Sequence, residues 1–179
     1  MKAEFYSFVP DGNNKIGGVL YAPESWPYPI ATDGKDVENW EKLVVELRDG
    51  EYRPFQLCTG GANMVNEDLK SLLLSYMGES KKDVEFLPVL AKSKEYGDRQ
   101  YYIMHFKKIF DVVDWEDCVY ICGSLVKIRL DPNKVKDLSV FNSQPYINDI
   151  IVSDKVRRAI KKKHLDLGLI FMPIFFGEH

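Results

Sequence analysis

The sequence predicts an α+β fold, a mainly antiparallel sheet with two principal helices at about 66–77 and 153–164. Three observations carry this. Short β-branched and aromatic runs recur between turn residues, as strands do. Only two stretches combine a helical apolar stripe with capping residues. Strands and helices do not alternate strictly, which argues against a doubly wound parallel sheet. The 179 residues are 45% hydrophobic, 13% aromatic and 28% charged, an ordinary folded composition. A chain this long buries about 70% of its unfolded surface, enough for one core. One domain, 1–179, is expected.

Phe5, Tyr6, Phe8 and Val9 make an opening strand, ended by Pro10-Asp11-Gly12-Asn13-Asn14, which carries turn chemistry at every position. Residues 15–32 hold Gly17, Gly18, Pro23, Pro27 and Pro29, too many breakers for a helix. Residues 43–48 and 52–57 read as a hairpin about Asp49-Gly50, with Pro54 favouring an edge position for the second strand. Residues 59–62 read as a loop. Asn66 caps the first helix, Glu67 and Asp68 suit its positive end, and Gly78 closes it. Leu69, Leu72, Leu73, Tyr76 and Met77 form its apolar stripe.

Residues 79–83 are a charged connection. Residues 84–90 and 100–106 are strands, as are 118–122 and 125–130 about Gly123-Ser124. Residues 132–145 are irregular. A strand at 148–152 leads into the second helix, with Ser153 as cap and Asp154 in the first turn. Val156, Ala159, Ile160 and His164 line its apolar edge, and Lys161, Lys162 and Lys163 complement its negative end. Residues 169–175 close the chain as a strand.

The formal charge is −3, unevenly spread. Residues 1–89 carry 9 basic and 15 acidic side chains, and residues 90–179 carry 15 and 12. The amino-terminal residues lack the apolar core of a secretory signal. No apolar run approaches the roughly 20 residues that span a bilayer. Three cysteines, Cys58, Cys118 and Cys122, are too few for a disulfide framework. Free thiols and a cytoplasmic location are expected.

No residue is assigned a catalytic role, and neither metal nor cofactor is expected. Cysteines and histidines lack zinc spacing, and the glycine pairs lack the spacing of a phosphate loop. Two alternatives stay open. Cys58, ahead of Thr59-Gly60-Gly61, would act as a nucleophile if His105 approached it. The basic helix at 155–163 would meet phosphates or an anionic membrane. The acidic amino-terminal half weighs against nucleic acid, and a solvated outer face explains the lysines.

Glu85-Phe86-Leu87-Pro88-Val89 is followed by Tyr101-Tyr102-Ile103-Met104-His105 and then Phe110-Asp111-Val112-Val113-Asp114-Trp115. Ile151-Val152-Ser153-Asp154-Lys155-Val156 and Gly168-Leu169-Ile170-Phe171 stand near the end. In order and spacing, residues 84–175 resemble a bacterial family, formerly a domain of unknown function, of immunity proteins from polymorphic toxin systems. Residues 1–62 form an acidic, strand- and loop-rich part, and 63–179 carry the resemblance. It implies a non-enzymatic protein whose partner is a cognate toxin domain, neutralised by stoichiometric binding, without nucleic acid or membrane. No oligomeric state is assigned. Aromatic anchors among carboxylates suit a protein-binding face. Trp26, Tyr28, Asp33, Asp36, Glu38, Trp40 and Glu41 are therefore the expected partner-binding residues.

Overall fold

The computed structural model describes residues 4–11, 18–25, 30, 34–145 and 149–176. Its strands fall into two large sheets and one isolated hairpin. The α+β expectation holds.

The first sheet joins β2 (Leu20–Tyr21), β3 (Leu43–Leu47), β4 (Phe55–Leu57), β5 (Asn63–Asn66), β6 (Val84–Lys92) and β7 (Arg99–Phe106) in the order β2-β3-β6-β7-β5-β4. All neighbours are antiparallel except β3 and β6. The two margins of this sheet meet. Leu20 bridges Cys58, just beyond β4, and the Thr59 amide donates to the Leu20 carbonyl at 2.8 Å. The sheet is thus rolled into a small barrel. Strand alternation sends every second side chain inward. Val45, Leu47, Met64, Leu87, Val89, Tyr101 and Ile103 fill the interior with Leu20 and Cys58.

The second sheet contains β1 (Phe5–Pro10), β10 (Arg129–Leu130), β11 (Val140–Phe141), β12 (Ile151–Ser153) and β13 (Leu169–Phe176), ordered β10-β13-β1-β12-β11. The helices α1 (Glu67–Tyr76) and α3 (Asp154–Lys162) share one core with both sheets. Leu69, Leu72 and Leu73 of α1 and Val156 and Ile160 of α3 meet Phe55, Val65, Met104 and Phe106 of the barrel strands and Phe8, Val140 and Val152 of the second sheet. A third cluster gathers Phe5, Phe141, Ile151 and Ile174 under Val112, Val113 and Val135. Val135 belongs to the one-turn helix α2 (Pro132–Val135).

Several local expectations hold. The Asn66 side chain accepts from the Leu69 amide at 2.9 Å, and Gly78 adopts φ +51° after the helix. A 3-10 helix (Gly78–Asp83) follows. Pro54 immediately precedes β4, the strand at one margin of the first sheet.

Others are corrected. The hairpin at 43–57 does not form. Gly50 takes the left-handed turn at φ +74°, yet β3 runs parallel to β6 and β4 lies at the opposite margin. The reason is Gln56. Its carbonyl oxygen accepts from the Arg53 amide at 2.9 Å, and its amide nitrogen donates to the Gly18 carbonyl at 2.8 Å. This buried side chain ties the second run to residue 18 instead of to β3. Residues 63–66 form β5 between the expected loop and α1. Within the stretch read as irregular, α2 and β11 form. Ser153 occupies the cap position of α3 without a side-chain capping bond. His164 is exposed at φ +56°, beyond the apolar edge.

Candidate functional site

Of the expected partner-binding residues, Asp36, Glu38, Trp40 and Glu41 fall among the described residues. Trp26, Tyr28 and Asp33 lie outside the described residues. Asp36, Glu38 and Glu41 are exposed. Asp36 accepts from Lys107 Nζ at 2.6 Å, and that ammonium holds its carboxyl below the usual carboxylate range. Trp40 is half-buried against the barrel core, and its indole N–H donates to the Pro88 carbonyl at 3.0 Å. This ring is part of the packing. The segment is strapped down further by the Val37 amide, which donates to Glu85 Oε2 at 3.0 Å.

The Cys58 and His105 pairing is not assembled. Cys58 is 1% exposed inside the barrel, and burial pushes its thiol up, away from the reactive thiolate. His105 stands opposite Glu85 on β7. Strand β5 separates β7 from β4, so about 10 Å divides the two backbones at ordinary strand spacing.

The basic helix is partly occupied by its own neighbours. Asp154 accepts from Arg157 at 2.6 Å and also from Arg158. Arg157 lies over the Tyr6 ring at 4.5 Å, and Lys161 over Phe171 at 5.7 Å. These are ordinary cation–π separations. Lys162 and Lys163 are exposed.

A different surface stands out. Residues 107–138 leave β7, pack Val112, Val113 and Val135 against the second sheet and add β10 to its margin. Val113 bridges Leu130, the Asp114 amide donates to the Arg129 carbonyl at 2.9 Å, and the Asp131 amide donates to Val112 at 2.9 Å. From this base the chain makes an isolated hairpin, β8 (Val119–Ile121) and β9 (Ser124–Lys127). Cys118 locks its root: the thiol donates to the Asp114 carbonyl at 3.2 Å and accepts from the Arg129 amide at 3.4 Å. Cys122 and Gly123 turn the hairpin at φ +51° and +77°, the two positive dihedrals a tight two-residue turn needs.

This hairpin belongs to neither large sheet. Val119, Tyr120, Ile121 and Val126 are exposed, with Ile121 at 59%. Trp115, beside the root, is 44% exposed. Between Lys108 and Lys127 the chain carries Asp111, Asp114, Glu116 and Asp117 and no basic residue. An exposed apolar patch with a polar rim marks an interaction site. The sequence predicts strands at 118–122 and 125–130, and the structure adds that this hairpin stands apart from both sheets. The available signal was apolar residues at consecutive positions 119–121 beside a carboxylate-flanked tryptophan.

No known family model matches the chain, and no curated protein matches it significantly.

Proposed function

We propose that this protein is an immunity protein, which neutralises a cognate bacterial toxin domain in the cytoplasm by stoichiometric binding. The observation that carries the reading is the exposed apolar hairpin with Trp115 and its carboxylates. Large aromatic and aliphatic side chains held in solvent lower stability and solubility unless a partner covers them. Nearby carboxylates speed encounter with a basic partner, and enzymes that attack nucleic acids carry basic surfaces. The resemblance over residues 84–175 points to the same role. The buried, protonated Cys58 gives no support to thiol catalysis.

The test is co-expression with the C-terminal domain of the protein encoded immediately upstream. Growth is expected to be restored, and the two proteins to co-purify at one to one. Unrelieved killing by that domain, with this protein present in excess, would exclude the reading.

A further inference from the structure

We infer that the face built from Trp115, the β8–β9 hairpin and the cavity beside Trp115 is the docking surface for a basic protein domain, and that the cavity receives one long basic side chain of that partner. The inference rests on the proposal that the protein acts by binding another protein, and adds where and by what chemistry.

The cavity has a volume of about 250 Å³. Most small-molecule sites are larger, and this one is sized for a single side chain. Ile109, Phe110, Val113 and Trp115 line it with apolar surface, suited to an aliphatic stem. Ser143 lines it too. That residue is 1% exposed, and its hydroxyl has no hydrogen-bond partner among the described residues. Buried polar groups are rarely left unmatched, and this hydroxyl can accept a hydrogen bond or donate one. Asp111 also lines the cavity; its Oδ2 holds Lys134 Nζ at 3.0 Å, and its carboxylate is largely exposed, so the other oxygen can accept from a second N–H donor. A lysine or arginine meets all three requirements, because its stem covers the apolar wall and its terminal N–H groups reach hydroxyl and carboxylate.

Charge decides against a second copy as the occupant. A two-fold dimer would set this patch against itself, bringing Asp114, Glu116 and Asp117 of both copies together. Like charges facing each other across an interface oppose association. A basic domain reverses the sign. Its backbone can also add to the hairpin, whose two strands pair only with each other among the described residues.

The experiment is isothermal titration of the full chain with the upstream-encoded C-terminal domain, repeated with variants at matched salt. Trp115→Ala combined with Ile121→Asp is expected to weaken binding about 100-fold. Glu116→Lys with Asp117→Lys is expected to weaken it at least tenfold and to flatten its salt dependence. Ser143→Ala is expected to lose about tenfold, the value of one buried hydrogen bond. Glu38→Lys with Glu41→Lys serves as the control on the other acidic strip and is expected to bind like the parent. The charge variants alter only exposed side chains, so they report even if the Trp115 variant unfolds. A parent complex that survives all three face variants undiminished would overturn this surface and leave the immunity reading standing. No parent complex at all would overturn both. Sedimentation showing a parent dimer that Ile121→Asp separates would assign the face to a second copy and overturn the basic partner.

Discussion

Asp149 illustrates how a single half-buried carboxyl sets pH behaviour. Its Oδ2 accepts from the Ser7 hydroxyl at 2.8 Å, but burial outweighs that bond and pushes the carboxyl above its ordinary value. The folded protein therefore holds this proton at pH values where the unfolded chain has released it. Stability linked to Asp149 is fully present below the ordinary aspartate value and is lost as pH rises through the raised one. Asp149→Asn keeps an acceptor for Ser7 and removes the charge. The variant is expected to unfold at higher urea than the parent at pH 7, and its advantage is expected to shrink toward pH 4. A neutral-pH midpoint below that of the parent would contradict this. Asp154 has the opposite sign. Arg158 and then Arg157 hold its carboxyl low, so its contribution is present above the ordinary aspartate value and lost as pH falls through the lowered one. Residue-scale features were legible where the partner is close in sequence. The Asn66 cap has its donor three residues away. Ser7 and Asp149 are 142 residues apart, and no local rule joins them.

At the scale of elements, legibility again followed locality. The apolar stripe of α1 and the β6–β7 pair, joined by a short polar turn, were readable because their partners are neighbours in the chain. The run at 52–57 does not pair with 43–48, because the turn signal at Asp49-Gly50 is overridden by the tie from Gln56 to residue 18. The entry to β13 shows another such tie. Gly168 has φ +82°, and a Cβ there would lie 3.1 Å from the Phe55 carbonyl oxygen and 2.9 Å from Arg53 Cδ. The Asp11 amide donates to its carbonyl at 3.0 Å. Gly168→Ala adds a left-handed penalty of about 1–2 kcal/mol to the crowding against β4. Urea unfolding is expected to show at least that loss. A change smaller than about 0.5 kcal/mol, the range of a neutral surface substitution, would show that the chain relaxes freely here.

For the whole molecule the decisive feature is a core shared by the barrel, both helices and the second sheet. Neither sheet buries that face without the other. Heating is expected to give one calorimetric transition with calorimetric and van't Hoff enthalpies in agreement. Leu73→Ala, at a fully buried position of α1, is expected to lower that transition as a unit, at a cost of about 2–5 kcal/mol. Two separated peaks would mean that barrel and sheet fold independently. Fold class was legible because composition and periodicity report how much strand and helix there is. The closure of the barrel was not, since it depends on residue 20 meeting residue 58. The candidate surface was half legible. Trp115 and its carboxylates are visible in the chain, but only the three-dimensional structure shows that the hairpin beyond them stands clear of both sheets, while Trp40, equally conspicuous, is packed away.

Strands β1 and β13 lie side by side with Phe5 opposite Ile174 and Pro10 opposite Leu169. Residues 4 and 176 therefore leave the same end of one ladder. Tension drawn between them loads a single rung at a time, so the two strands part like a zipper instead of resisting in shear. A pull applied between these two residues would meet a succession of small mechanical barriers, in a molecule expected to open to heat in a single step.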